Sequence, residues 1–103
     1  MFGLSGNPIE TIECSQAKQL VNDHGAQMVD VRTPQEFAQG AIPGSVNIPL
    51  QVINAAYQNL DKTKPVIVFC RSGARSAQAK SFLQQEGFDS VHNLGSIQKY
   101  LTC

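Results

Sequence analysis

Along the chain, short β-rich runs alternate with helical stripes once residues 1–8 are passed. Residues 9–12 (Ile-Glu-Thr-Ile) alternate apolar and polar, the two-residue period of a strand. Residues 15–23 then set Ala17, Leu20 and Val21 at three- and four-residue spacing, which predicts a helix ending before Gly25. Met28, Val29 and Val31 mark residues 27–31 as a buried strand. Thr33-Pro34-Gln35-Glu36 fits an N-cap followed by proline at the first helical position, so a short helix is expected near Phe37. Gly40, Pro43 and Gly44 punctuate a loop ahead of a short strand at residues 46–48. Pro49 then opens an expected helix through Val52, Ile53 and Tyr57. Residues 65–69 form the strongest strand signal, a continuous apolar run suited to a strand covered on both faces. Residues 73–86 read as a helix with Ala79, Phe82 and Leu83 inward and Gly87 as its C-cap. A last strand is expected at residues 90–94 and a terminal helix at 96–101.

Five strands alternating with helices predict an α/β fold: a small, mainly parallel five-stranded sheet flanked by helices on both faces. The length of 103 residues suits a single domain, expected over 1–103 with its core at about 9–101. In such folds the functional crevice lies beyond the carboxyl ends of the strands. That rule points to Asp30-Val31-Arg32 and, above all, to Cys70.

Composition narrows the function classes. The chain is 42% hydrophobic, enough for a core, and its eight basic residues balance eight acidic ones. A nucleic-acid partner is not expected without a basic surplus. The longest apolar run, Val66-Ile67-Val68-Phe69-Cys70, is far short of the ~20 residues that span a bilayer, so no membrane partner is expected. Residues 1–8 carry no basic residue, so no targeting segment is read there and a cytoplasmic location is expected. Three widely spaced cysteines, Cys14, Cys70 and Cys103, form no metal-binding pair and no even disulfide framework, which predicts reduced thiols and no metal or cofactor. His24 and His92 neighbour no reactive group in sequence and read as structural.

The chemistry concentrates after the strongest strand, in Cys70-Arg71-Ser72-Gly73-Ala74-Arg75-Ser76. A thiol at a strand's end is followed by a tight loop that feeds a helix N-terminus. Clustered amide N–H groups, the helix dipole and two arginines all favour negative charge on sulfur. Such surroundings lower a cysteine pKa from ~8.5 toward ~3.5–7.5 and make the thiolate available at neutral pH. Gly73 permits a backbone conformation or a close approach that a side chain would block. A cysteine buried only as a small hydrophobe would not need two arginines and a glycine in the next five positions.

Two separated stretches resemble the single-domain rhodaneses, sulfurtransferases that carry sulfane sulfur as a cysteine persulfide. One runs from Val29-Asp30-Val31-Arg32-Thr33-Pro34-Gln35-Glu36-Phe37 through Gly40-Ala41-Ile42-Pro43-Gly44-Ser45-Val46-Asn47-Ile48-Pro49. The other is the loop from Cys70 to Ser76, similar to the family's C-x-x-G-x-R-S pattern. The likeness covers nearly the whole chain from Ile9. Ala41 stands where many members have histidine, Gly95-Ser96 replaces a pair of glycines, and Tyr100 sits near a position often held by tryptophan.

The resemblance implies that Cys70 attacks a small anionic sulfur donor such as thiosulfate and becomes a persulfide. The persulfide then passes its sulfur to cyanide or a thiol. Backbone amides from Arg71 to Ser76 would cradle the persulfide, and a protein donor or acceptor is also compatible. Arg71 is the candidate for attracting the donor. Arg75 either does the same or braces the loop against Glu36, and the sequence does not choose. Asp30 and Arg32 read as supporting residues, with a solvated surface pair as the plain alternative. Cys103 is either a resolving thiol or an incidental one.

Two other functions compete. Phosphatases and arsenate reductases share a Cys…Arg loop, but theirs is one residue longer than the four residues between Cys70 and Arg75, and Phe69 stands where tyrosine phosphatases usually have histidine. A sulfur relay that takes persulfide from one protein and hands it to another would use the same loop as an enzyme. A silent interaction domain is disfavoured by the presence of the cysteine.

Overall fold

The computed structural model describes residues 9–103. Its centre is a parallel sheet of four strands: β1 (Gln27–Asp30), β2 (Val46–Asn47), β3 (Val66–Cys70) and β4 (Val91–Ser96), in the spatial order β2-β1-β3-β4. Five helices accompany it among the described residues: α1 (Cys14–His24), α2 (Pro34–Ala38), α3 (Ile53–Ala56), α4 (Ala74–Gln85) and α5 (Ile97–Leu101).

The α/β expectation holds with four strands in place of five. Residues 9–12 do not join the sheet. The Ile12 amide reaches the Asn93 carbonyl at 2.9 Å, but the Ile12 carbonyl is taken by the Lys99 ammonium at 2.6 Å. The next residue, Glu13, is already the N-cap of α1, where Glu13 and Gln16 close a capping box. A two-residue period over four positions is thus overridden by the cap that follows it.

The expected helix from Pro49 to Tyr57 is also divided. It comprises a 3-10 turn at Leu50–Val52, α3, and a second 3-10 turn at Tyr57–Asn59. Val52, at φ −118° and ψ 6°, breaks the helical path. The segment bends across the sheet and delivers Ile53 into the core, with Tyr57 edge-on to Phe82 at 5.3 Å.

Strand β3 lies between β1 and β4 and is buried along its whole length. Because side chains alternate faces along a strand, its five residues serve two cores. Val66, Val68 and Cys70 join Ala79 and Leu83 of α4, with Val29, Ile48 and Ile53. Ile67 and Phe69 face the opposite side, with Ala17 of α1, Leu94 and Ile97 of α5. Burial of each such large apolar side chain is worth about 1.5–3 kcal/mol. Cys70 is therefore the last rung of the α4-facing core, placed where β3 ends and the helix begins.

The expectation of three reduced thiols is corrected. Cys14 and Cys103 form a disulfide that closes a sequence separation of 89, with Cα atoms 6.5 Å apart. The chain end after α5 meets the first residue of α1, with Cys14 Sγ 3.9 Å from the Tyr100 carbonyl. The Lys18 ammonium supports the same closure, donating to the Cys103 carbonyl at 2.8 Å and lying 5.2 Å from the Tyr100 ring. Cys70 remains a free, buried thiol.

Candidate active site

The strand-to-helix turn is built around Gly73. It is the N-cap of α4 and adopts φ +102°, a left-handed value that side chains rarely tolerate. The turn curls the chain so that the Gly73 amide donates to Cys70 Sγ at 3.0 Å. The Ser76 hydroxyl lies 3.5 Å from the same sulfur and 3.1 Å from the Gly73 carbonyl oxygen. Burial pushes the Cys70 thiol up, but the Ser76 hydroxyl and the amides of Ser76, Gly73 and Ser72 outweigh it, and the pKa is lowered on balance. The expected activation of the thiol thus arises chiefly from hydrogen bonds, in a site where Cys70 itself is fully buried.

Beside Arg71 opens a cleft of about 660 Å³, lined also by Arg32, Glu36, the stretch Gln39-Gly40-Ala41, and Ile97, Gln98 and Leu101 of α5. Arg71 is exposed and forms no ion pair among the described residues. Ser72 and Ala74 are also exposed, on the outer side of the turn, whereas Gly73 and Ser76 are buried.

Arg75 points elsewhere. Its guanidinium forms two bonds to the Glu36 carboxylate, at 2.7 and 3.1 Å. The Arg75 contact, followed by bonds from Thr33, holds the Glu36 pKa down to about 2. Glu36 also accepts from the Thr33 amide and hydroxyl in the capping box of α2. The pair therefore ties α2 to the first turn of α4. Of the two roles open to Arg75, the geometry favours the brace.

Asp30 and Arg32 form a second, buried brace, with Arg32 reaching the cleft wall. The Arg32 guanidinium meets the Asp30 carboxylate at 2.7–3.0 Å and also donates to the Gly40 carbonyl at 2.8 Å. The Asn47 side chain bridges the carbonyls of Asp30 and Arg32, each at 2.9 Å. The surface-pair alternative is overturned, because Asp30 is 0% and Arg32 7% exposed. Burying one of these charges without the other would be strongly unfavourable. Here the pair fixes the turn after β1 and the Gly40 corner of the cleft.

Asn93 is the residue that sequence reasoning missed, and Gly95 works with it. A register shift between Val68 and Phe69 leaves Asn93 opposite Val68 and Gly95 opposite Phe69, so Leu94 is the extra residue of a bulge. The buried Asn93 side chain accepts from the Gly95 amide at 2.8 Å and donates to the Gly73 carbonyl at 3.3 Å. An asparagine two positions before a glycine inside a strand was the available signal, since both residues are depleted from strand interiors. The buried polar side chains among the described residues are Asp30, Arg32, Ser76 and Asn93, all at this end of the sheet.

A family model for the rhodanese-like domain matches residues 13–103. The chain is 40% identical over 88 residues to a sulfurtransferase of Allochromatium vinosum, covering 85% of this chain and 80% of the relative. It is 38% identical over 85 residues to the thiosulfate sulfurtransferase GlpE of Pseudomonas aeruginosa, covering 82% and 76%. Among solved structures, the human single-domain sulfurtransferase TSTD1 matches with a TM-score of 0.75 at 27% identity, covering 94% of this chain and 97% of that one. With the family model spanning almost all of the described residues, this chain belongs to the rhodanese-like family.

Proposed function

We propose that this single domain transfers sulfane sulfur through a persulfide on Cys70, with thiosulfate as a donor and cyanide or a thiol as acceptor. The Cys70 thiolate attacks the outer sulfur of thiosulfate. The sulfur–sulfur bond of the donor breaks, sulfite leaves with the electron pair, and Cys70 carries the new sulfur as an anionic persulfide. An acceptor nucleophile then takes that sulfur and the Cys70 thiolate leaves, ready for another turn. Two half-reactions through one covalent intermediate predict ping-pong kinetics.

The observation that carries this reading is the cradle of Cys70. A buried sulfur faces the Gly73 amide and the Ser76 hydroxyl, a donor set that favours an anion on sulfur. Arg71 adds a positive charge at the mouth, where an anionic donor docks. The phosphatase reading is disfavoured because Arg75 is held by Glu36 and is not free to clasp a tetrahedral oxyanion over the loop. The reading as a relay between proteins shares the persulfide and differs in turnover, being distinguished by rapid persulfide exchange with a partner and negligible thiosulfate turnover.

The Cys14–Cys103 bond weighs against the expected cytoplasmic location, because disulfides persist mainly in oxidising compartments. Among the described residues, no helix is long and apolar enough to cross a membrane.

The decisive test is incubation with thiosulfate followed by intact mass measurement. The wild type should gain one sulfur and Cys70→Ala none. A wild type that gains nothing, or a Cys70→Ala protein that gains as much, overturns the proposal.

A further inference from the structure

The Gly73 carbonyl oxygen is surrounded by more donors than it can fully serve. The Ala77 amide reaches it at 3.0 Å as the first bond of α4, the Ser76 hydroxyl at 3.1 Å and the Asn93 side-chain nitrogen at 3.3 Å. A carbonyl offers two lone pairs. The Ala77 amide is fixed by the helix. The Asn93 amide is fixed by its other end, because the Gly95 N–H holds its oxygen at 2.8 Å and so turns the nitrogen toward Gly73. The Ser76 hydroxyl is the one donor free to rotate, and its single proton can reach either the carbonyl or Cys70 Sγ at 3.5 Å.

We propose that Asn93 is a positioning residue for the nucleophile: by filling the second lone pair of the Gly73 carbonyl, it releases the Ser76 hydroxyl to donate to the Cys70 sulfur. Asn93 touches no reacting atom. It acts through Ser76, from a bulged strand that also seats Gly95 against the active loop. Without the Asn93 side chain, the vacant lone pair captures the Ser76 proton. The sulfur then keeps its amide donors and loses the hydroxyl. The charged groups around the sulfur remain in place in either case. Arg71 belongs to the loop, Arg75 to α4 and Glu36 to α2, while Asp30 and Arg32 lie at the end of β1.

The inference rests on Cys70 being the nucleophile, and its test needs no sulfur donor. With Cys14 and Cys103 bonded to each other, Cys70 is the thiol that reacts with iodoacetamide, and the pH dependence of that reaction reads its thiolate directly. Asn93→Ala should move the midpoint upward by about 0.5–1 unit. Ser76→Ala should do the same. In the Ser76→Ala background, Asn93→Ala should add less than about 0.2 unit, because the hydroxyl it controls is gone. No shift in Asn93→Ala, or an equal shift in both backgrounds, overturns the proposal. Should Asn93→Ala fail to fold, as judged by circular dichroism, the cycle is run with Asn93→Ser, which retains a hydrogen-bonding group near Gly95 but is too short to serve Gly73. Failure to gain sulfur from thiosulfate would count against the proposed reaction and leave this cycle readable.

Discussion

Gly73 and Gly95 approach so closely that a Cβ placed on Gly73 would stand 3.3 Å from the Gly95 Cα. One glycine turns the Cys70 loop and the other follows the β4 bulge, so the loop is pressed onto the strand with no side chain between them. Gly73→Ala meets both this contact and the left-handed φ of +102°, whose intrinsic cost for other residues is about 1–2 kcal/mol. The expected outcome is a loop displaced from Cys70: loss of sulfur gain from thiosulfate by mass spectrometry, and a higher pH midpoint for Cys70 alkylation. An active Gly73→Ala protein would show that the turn has another low-energy form.

Among the described residues lining the cleft, Arg71 is the cation without an ion pair, since Arg32 is engaged by Asp30. Arg71→Ala should raise the Michaelis constant for thiosulfate about tenfold, a loss of about 1.4 kcal/mol, while persulfide still forms at high donor concentration. The wild-type constant should also rise with ionic strength more steeply than that of the variant. An unchanged Michaelis constant would remove Arg71 from donor binding.

Glu36 supplies a pH-dependent brace. Its pKa falls from 4.5 to about 2 on folding. The bonds to Arg75 thus stabilise the fold fully above about 4.5 and are lost progressively as pH falls toward 2. Wild type should lose stability in denaturant melts over that acid range, and Glu36→Gln should show a shallower loss while being less stable at neutral pH. Identical slopes for the two proteins would mean that the pair contributes nothing measurable, as many exposed pairs do.

Much of this site was legible because its signals are local. The run Val66–Cys70 is apolar at every position, as a strand between two others must be. The glycine and arginines after Cys70 lie in one continuous loop, and the Thr33-Glu36 capping box is complete within four residues. What escaped depended on contacts across the fold. Residues 9–12 have a strand's period, but Lys99 takes the Ile12 carbonyl and the α1 cap begins at Glu13. Asn93 acquires its role only because a bulge at Leu94 sets it beside Gly73. Gln39 and Gln98 share one cleft from distant elements. Cysteine spacing could not disclose a bond between residues 89 apart, since connectivity is set by the fold.

The same disulfide gives the last prediction. Linking residues separated by 89 positions removes loop-closure entropy from the unfolded chain, so breaking the bond should cost about 2–4 kcal/mol. In a chain of this length that lowers the melting temperature by roughly 10 °C or more. Cys14→Ser with Cys103→Ser should melt lower than wild type and ignore a phosphine reductant, whereas wild type should fall to the variant's value when reduced. The effect should also reach the site. Cys103 follows α5, whose Ile97, Gln98 and Leu101 wall the cleft, and a helix of five residues is not stable alone. Amide exchange at residues 97–102 should therefore quicken in the double variant, with the donor Michaelis constant rising and the Cys70 alkylation midpoint unchanged. A wild type that shows three titratable thiols without reductant would contradict the bond, and unchanged exchange in α5 would show that Ile97, Tyr100 and Lys99 hold the helix without it.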